Sequence, residues 1–226
     1  ENNQAANAGA IYLDGRELNI DPESVLIEDC DFLNNSVSGS GGGLRTNDAD
    51  HLVRNCVFED NTSGGSGGNM FLSSDFHTAR FVGCTFEDGV SEGGWGGGAT
   101  CYGDSAFYFF NNCVFEDNTC LNSGAAVYAG FRAAVTIDSC IFDGNENFDG
   151  IGTVAGQNDS TFIQVFNSSF DFNVSDGSGG ALSGNITNSS ISFVVDNCTF
   201  TGNTVNDGIG GAIHLSELGD DDISTL

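Results

Sequence analysis

The stretch Asn112-Cys113-Val114-Phe115-Glu116-Asp117-Asn118 decides the fold, because variants of it return along the whole chain at a nearly constant interval. The shared pattern is Cys-x-Phe-x-x-Asn. Its copies begin at Cys30, Cys56, Cys84, Cys113, Cys140, Ser168 and Cys198, so the period is 26 to 30 residues. Self-similarity at an interval of this length is typical of a solenoid or another repeat array. The fold is therefore that of one repeated unit.

Residues of equal phase in successive repeats are expected to stack, which predicts a core ladder of cysteine, phenylalanine and asparagine. The cysteine column is Cys30, Cys56, Cys84, Cys113, Cys140 and Cys198. The phenylalanine column is Phe32, Phe58, Phe86, Phe115, Phe142, Phe170 and Phe200. The asparagine column is Asn35, Asn61, Asn118, Asn145, Asn173 and Asn203. Gly89 stands at an asparagine position, where we expect it to interrupt the ladder but to keep the turn, since both residue types accept left-handed backbone conformations.

A second marker, a Gly-Gly-Ala-like turn that leads into an apolar strand, follows each anchor by 12 to 15 residues. Clear copies are Gly97-Gly98-Ala99-Thr100, Gly179-Gly180-Ala181-Leu182 and Gly210-Gly211-Ala212-Ile213. Ala8–Leu13 reads as the end of an earlier repeat. Two markers in a constant phase relation are much harder to obtain by chance than one marker.

The composition favours an all-β protein, with one Pro, 33 Gly and 19 Phe in 226 residues. Short β-rich runs bounded by turn residues recur, and no window has sustained helical periodicity. We expect three short strands per repeat, stacked into a parallel β-helix of about seven or eight coils. Leucine-rich repeats need a leucine scaffold that this chain lacks, and propeller blades are longer. The predicted inward column is Ile27, Val53, Phe81, Phe110, Ile137, Val165 and Val195.

The paired Phe-x-x-Asn and Gly-Gly-Ala-Ile/Val/Leu markers resemble the repeats of polymorphic outer membrane protein-type surface proteins. The resemblance covers residues 8 to 215 and implies a right-handed parallel β-helix similar to that of the pectin lyase-like superfamily. That superfamily includes adhesins, phage spikes, fibres and polysaccharide lyases and hydrolases, so the resemblance is specific for fold rather than for activity. We expect one β-helix domain over residues 1–219, followed by an acidic tail or the start of a linker at 220–226.

The cysteines allow two interpretations. Stacked residues lie about 4.8 Å apart, so the column fits either buried thiols that act as small apolar side chains, which we favour, or bridges between adjacent coils. Cys101 and Cys120 lie off the column, and their partners stay open. The chain has no Cys-x-x-Cys spacing, which argues against a zinc site.

The formal charge of −27 excludes nucleic acid and anionic membrane surfaces as expected partners, and no membrane insertion is expected. Carboxylates follow the anchor phenylalanines in phase, at Glu59, Asp60, Glu87, Asp88, Glu116 and Asp117, with Asp143 and Asp171 further along. Such a row is either a solvated surface or a site for a hard cation. We therefore predict bound Ca²⁺ along this edge as the one candidate cofactor.

Sequons and the lack of a transmembrane run indicate an extracellular or cell-surface location. The predicted glycan carriers are Asn158, Asn185 and Asn188, whereas Asn61 and Asn173 should be inaccessible in the ladder. The loop around Trp95 is the predicted contact point with a glycan or a second subunit, although the ring could instead fold back over the coil.

An enzyme is not expected, because the arginines at 16, 45, 54, 80 and 132 differ in phase and no nucleophile–base spacing is present. His51 is expected in the core, His77 in a turn and His214 on a strand. We predict a structural or adhesive rod that forms or decorates a surface fibre. Its expected partners are a second copy bound end to end, other surface proteins or glycans. The alternative is a carbohydrate-binding or polysaccharide-degrading β-helix.

Overall fold

A computed structural model of the chain describes residues 1–15, 25–157, 160–185, 191–216 and 224–225. Within these residues the chain consists of strands and turns, with no helix. Every strand pairs in parallel with its counterparts in the neighbouring coils, and the strands form four sheets, which we name A to D in the order in which each coil visits them. The predicted all-β parallel solenoid is thereby confirmed.

The four sheets have the following strands. Sheet A contains Gln4–Ala5, Ser36–Val37, Thr62–Ser63, Val90–Ser91, Thr119–Cys120, Glu146–Asn147, Val174–Ser175 and Thr204–Val205. Sheet B contains Ile11–Asp14, Leu44–Asn47, Met70–Ser73, Ala99–Tyr102, Val127–Gly130, Val154–Gln157, Leu182–Asn185 and Ile213–Ser216. Sheet C contains Val25–Glu28, His51–Arg54, Thr78–Val82, Phe107–Asn111, Ala134–Asp138, Phe162–Phe166, Ser192–Asp196 and Ser224–Thr225. Sheet D contains Asp31–Leu33, Val57–Glu59, Thr85–Glu87, Val114–Glu116, Ile141–Asp143, Ser169–Asp171 and Thr199–Thr201.

The expectation of three strands per coil is wrong, because each complete coil visits four sheets. The additional strand is the two-residue strand of sheet A, such as Thr62–Ser63, in the segment that the sequence suggests is a polar loop. Its residues still pair with the neighbouring coils, and its second position points inward, as at the buried Ser63. A strand of two residues is too short to show a period of alternation, so the sequence pattern could not identify this strand.

Three sharp corners recur in each coil, and each uses one residue with positive φ. Between sheets C and D these residues are Asp29, Asn55, Gly83, Asn112, Ser139, Asn167 and Asn197. Between sheets D and A they are Asn34, Asp60, Asp88, Asp117, Gly144, Phe172 and Gly202. Before sheet B they are Gly41, Gly67, Gly96, Gly124, Gly152, Gly179 and Gly210. At the corner between sheets D and A, the residue with positive φ therefore comes directly before the ladder asparagine or Gly89. The expectation that the ladder residue itself has the left-handed conformation is wrong.

The phenylalanine column runs through the solenoid as a continuous stack. Successive ring centroids are 4.5 to 5.1 Å apart from Phe32 to Phe200, and the planes are within 21° of parallel. The column from Ile27 to Val195 on sheet C is also in register and buried. Rings stacked at one coil spacing pack closely along the interior, so this stack contributes apolar support to every coil it passes through.

All eight cysteines lie in the described part of the chain and are free thiols. Cys56, Cys84, Cys113 and Cys140 are buried in one column, and Cys101 and Cys120 are buried on sheets B and A. Column thiols contact backbone carbonyl oxygens one coil away, as from Cys84 Sγ to the oxygen of Val53 at 3.6 Å. Cys30 is exposed and Cys198 is half-buried, contrary to the expectation of a buried column, because each lies at one end of the described column and has a column neighbour on one side only.

The asparagine ladder satisfies both side-chain and backbone groups between coils. The Nδ2 of Asn145 donates to Asn173 Oδ1 at 2.9 Å and to the carbonyl of Phe115 at 2.9 Å, while its backbone N–H donates to the same Oδ1 at 3.0 Å. Asn118 and Asn173 repeat this arrangement. The ladder therefore closes the corner between sheets D and A.

The ladder is not interrupted at Gly89, which corrects the expectation from the sequence. Asn69, from the glycine turn of the preceding coil, places its amide in the space that the missing side chain leaves. Its Oδ1 accepts a hydrogen bond from Asn61 Nδ2 at 2.8 Å, and its Nδ2 donates to Asn118 Oδ1 at 3.0 Å. A Cβ on Gly89 would lie 2.4 Å from this Nδ2. Asn69 and Gly89 are therefore a complementary pair.

The segment 220–226, expected to be a tail or linker, contains Ser224–Thr225, which pairs with Phe193 and Val194 as the last strand of sheet C. Asp220, Asp221 and Asp222 lie outside the described residues. None of the described residues form a helix that is long and apolar enough to span a bilayer.

Candidate functional site

The predicted carboxylate edge lies on sheet D and on the corner that follows it. Glu59, Glu87 and Glu116 are partners in register, and Asp143 and Asp171 continue the same row. Asp60, Asp88 and Asp117 occupy the left-handed corner position in three of these coils. Like charges at the coil spacing of about 4.8 Å repel one another, so the row raises the free energy of the folded state at neutral pH.

Two of these carboxylates have perturbed pKa values. Partial burial, followed by the charges of Glu116 and Glu59, raises the pKa of Glu87 above its ordinary range. Partial burial, followed by Asp60 and Asp117, raises the pKa of Asp88 in the same direction. In the described residues, no group of three or more histidine, cysteine or carboxylate side chains is arranged to hold a metal ion. The calcium edge therefore stays a prediction, tested below.

Trp95 packs back against the outer face of sheet B rather than projecting into solvent. Its indole stacks on Tyr128 with centroids 5.4 Å apart and meets Tyr102 edge-on at 6.3 Å. Tyr102 also makes edge contacts with Phe71, Tyr128 and Phe131, at 5.6, 5.7 and 5.0 Å. The structure thus places Trp95 in an aromatic surface cluster of Phe71, Trp95, Tyr102, Tyr128 and Phe131.

A cleft opens beside this cluster, where the turns from sheet B to sheet C follow one another. We call it the B–C cleft and define it by Asp75, Tyr102, Asp104, Phe131 and Arg132; its volume is about 390 Å³. Arg132 Nη1 donates to Asp104 Oδ2 at 3.0 Å, and Asp75 Oδ1 accepts the backbone N–H of Asp104 at 2.8 Å. Burial, then the neighbouring Tyr128, raises the pKa of Tyr102, so the phenol stays neutral at any physiological pH.

Sequence reasoning singled out Trp95, which belongs to the aromatic cluster beside the cleft, but missed the cleft itself. Its residues come from three different coils, and their positions in the turns do not share a residue type. One feature of the sequence could have indicated the cleft: Phe131-Arg132 stands where the neighbouring coils have turns rich in Asp and Ser. Two bulky residues in such a turn require a reason other than turn formation.

Of the three predicted glycan carriers, Asn185 lies in the described part of the chain. Asn158 and Asn188 lie outside the described residues, and Asn185 ends a strand of sheet B whose side chain at that position is not described. Asn61 and Asn173 are fully buried in the ladder, which leaves no room for a glycan. Glycosylation at the three predicted positions stays a prediction.

The histidines and arginines do not meet in one place within the described residues. His51 is buried, and its Nδ1 lies 2.9 Å from the carbonyl oxygen of Ala49, while burial lowers its pKa to about 4. His77 contacts Asp50, and Arg54 contacts Glu28 at the surface. Arg16 lies outside the described residues. The expectation that the chain is not an enzyme stays a proposal.

The buried thiols are chemically quiet. Burial raises the pKa of Cys56 to about 11 and that of Cys120 to about 12. The thiol of Cys140, together with burial, raises the pKa of Cys113 to about 12. Since the thiolate is the reactive form, these residues support packing and not nucleophilic chemistry.

The stacked parallel coils define the chain as a β-solenoid, and its sequence matches a family with that architecture. The family model described as "Right handed beta helix region" matches residues 1–178, so the chain belongs to the right-handed β-helix family. A second model, described as "Chlamydia polymorphic membrane protein repeat", matches residues 197–216. Comparisons with curated proteins and with solved structures gave no significant match.

Proposed function

We propose that this chain is the rigid, exposed part of a secreted or cell-surface protein and acts as a structural or adhesive element. The observation that carries the proposal is the match of residues 197–216 to a repeat named for chlamydial polymorphic membrane proteins. The matched segment includes Phe200, Asn203 and Gly210–Ile213, and the same markers recur in the other coils. The matching unit is therefore the unit from which the whole solenoid is built.

The packing supports a role in which the shape of the molecule matters. The phenylalanine stack, the asparagine ladder and four parallel sheets all run along the solenoid, so each coil is held to the next by apolar contacts and hydrogen bonds together. Such a molecule is quasi-one-dimensional, and each coil contacts only its neighbours. A stiff rod with a strongly acidic surface holds its outer loops at fixed distances, as an adhesin stalk or a fibre subunit requires.

Surface location is tested by labelling intact source cells with an antibody against this chain, with permeabilised cells as the reference. Equal labelling of both samples supports the proposal, and loss of the signal when intact cells are treated with a protease supports it further. Labelling that requires permeabilisation would refute it. A cytoplasmic protein of the same cells serves as the control that the membrane is closed.

Fibre formation and self-association are proposals of the same kind, tested by negative-stain electron microscopy of the native protein. Regular filaments of stacked coils would support end-to-end association. Dispersed rods at all concentrations would refute association but would leave a stalk role intact. Binding to other surface proteins or to glycans is tested by the cleft experiment that follows.

A further inference from the structure

One wall of the B–C cleft is aromatic, and contacts with neighbouring rings hold it in place. Tyr102 is fixed by edge contacts to Phe71, Trp95, Tyr128 and Phe131, at 5.0 to 6.3 Å. Phe131 itself remains 57% exposed. An aromatic ring that is held in place but left open to solvent is typical of a binding surface, because the ligand meets a prepared face.

The turn that presents Phe131 is strained. Phe131 and Arg132 both have positive φ, 56° and 65°, in a tight turn closed by a hydrogen bond from the N–H of Ala133 to the oxygen of Gly130 at 3.3 Å. Asn and Gly are the usual residues at the centre of such a turn. Bulky residues in this conformation cost free energy, and such strain concentrates at functional sites. The turn therefore serves to project these two side chains.

The second wall of the cleft is acidic. Asp104 is neutralised in part by Arg132, at 3.0 Å. Asp75 accepts one backbone hydrogen bond through Oδ1, and its Oδ2 has no partner in the described part of the chain. The cleft thus contains two carboxylates and one guanidinium beside two aromatic rings, in a chain with a formal charge of −27.

We propose that the B–C cleft binds a lysine side chain of a partner protein, an inference that rests on the adhesive role proposed above. The ammonium group would lie against Asp75 and over the faces of Phe131 and Tyr102, where cation–π attraction adds to charge pairing. The apolar stem of the lysine would pack on the exposed part of the Phe131 ring. The overall negative charge attracts such a segment from a distance.

The chain itself shows that its aromatic surface accepts cations. The guanidinium of Arg45 lies 5.1 Å from the ring centroid of Phe71, in the same aromatic cluster. The guanidinium of Arg80 lies 4.3 Å from the ring centroid of Phe109. In the cleft, Arg132 pairs with Asp104 instead, and no arginine of the described residues lies over the ring of Tyr102 or of the exposed Phe131.

Arg132 makes the proposal sharply testable, because it competes with the ligand for Asp104. Replacing it by a neutral residue would strengthen the binding of a cation. The same replacement would weaken the binding of a neutral saccharide or an anion, since among the described residues Arg132 is the one arginine that lines the cleft. The two kinds of ligand thus predict opposite signs for one substitution.

The experiment measures binding of a trilysine peptide with blocked termini to the folded chain by isothermal titration calorimetry and by NMR shift mapping. The Nε-acetylated peptide is the ligand control. We expect Asp75→Asn to weaken binding about fivefold, Phe131→Leu to weaken it by a similar factor, and Arg132→Gln to strengthen it about fivefold. Asp171→Asn, with the same charge change on sheet D, is the matched control and should alter binding less than twofold.

Two results would overturn the proposal. Equal losses for Asp75→Asn and Asp171→Asn would show attraction by total charge alone. Binding of a neutral oligosaccharide but not of trilysine, weakened by Arg132→Gln, would assign the cleft to a sugar. Circular dichroism confirms that each variant is folded. The surface-labelling result does not depend on either outcome, so failure of the cleft and failure of the proposed location are distinguishable.

Discussion

Replacement of Asn69 by alanine tests how the ladder passes the coil that lacks its asparagine. The substitution removes the acceptor of Asn61 Nδ2 at 2.8 Å and the donors to Asn118 Oδ1 at 3.0 Å and to the carbonyl of Glu87 at 3.3 Å. Asn61 keeps its bond to the carbonyl of Phe32, and Asn118 Oδ1 keeps the N–H of Gly89. With about 1–3 kcal/mol for each buried group left unpaired, we expect Asn69→Ala to cost about 2–3 kcal/mol.

The reciprocal change tests the complementarity. Gly89→Asn should also be destabilising, by about 1–3 kcal/mol, because its Cβ would lie 2.4 Å from Asn69 Nδ2 and 2.4 Å from the oxygen of Gly97. In the double variant the new side chain can take the place that asparagine has in the other coils. We expect the double variant to regain at least about 1 kcal/mol relative to the sum of the single losses.

The assay is equilibrium urea unfolding followed by circular dichroism and by Trp95 fluorescence. Two probes are needed because a solenoid can unfold in parts, and free energies of unfolding are valid only if the two transitions coincide. Asn206→Ala is the control, because Asn206 is exposed and, within the described residues, its side chain bonds to Asp176 alone; its effect should stay within about 0.5 kcal/mol. Strictly additive losses in the double variant would refute the reasoning.

Four further predictions concern the core and the charges. Phe115→Ala should lower the free energy of unfolding by about 3–5 kcal/mol, since the ring is fully buried between Phe86 and Phe142. The control Phe172→Ala, at a ring that is 62% exposed, should lower it by under about 1 kcal/mol. Equal losses of the two variants in urea unfolding would contradict the buried stack. Burial lowers the pKa of His51 from 6.5 to about 4, so the neutral imidazole contributes about 3 kcal/mol of stability that is lost as the pH falls from about 6.5 to 4. His51→Leu should remove this part of the pH dependence of the free energy of unfolding. An unchanged pH dependence would show that the imidazole is solvated. The pKa of Glu87 is raised by partial burial and then by neighbouring carboxylates, so its charged form destabilises the fold as the pH rises, which is opposite in sign to the effect of His51. Glu87→Gln should therefore raise the melting temperature at pH 7 but not at pH 4. A lower melting temperature of the variant at pH 7 would mean that a cation holds the row. If Ca²⁺ binds the carboxylate edge, a chelator should lower the melting temperature and Glu116→Gln should reduce that shift; an unchanged melting temperature in chelator would eliminate the calcium edge.

The repeat pattern determines most of the fold. Asn112 and Phe115 return in phase, and residues in phase must stack when strands pair in parallel at one coil spacing. The stacked columns and the bend before the cysteine follow from this alone. The strands of sheet A do not, because each has two residues, as in Thr62–Ser63, and so short a segment carries no periodic signal.

The features that sequence reasoning missed all depend on contacts between different coils. Asn69 occupies an alanine position of the glycine marker, and nothing in its own repeat shows that it replaces the side chain absent at Gly89, 20 residues further on. The B–C cleft combines turns from three coils, and the path of those turns is set by packing and not by residue type. Periodicity predicts what repeats, whereas these sites arise where the repeat is broken.

The open environment of Cys30 offers an experimental handle. Of the eight thiols, this is the one that is exposed, and it lies beside the first strand of sheet D, while Cys56, Cys113 and Cys120 are protected by burial and by raised pKa values. A maleimide at neutral pH should therefore react first at this thiol in the unmodified protein, and more slowly at Cys198, which is half-buried and has its pKa raised by burial. With gold or a fluorophore attached there, single-particle images would read the polarity of any filament, and head-to-tail and head-to-head assembly would be separated without introducing a single mutation.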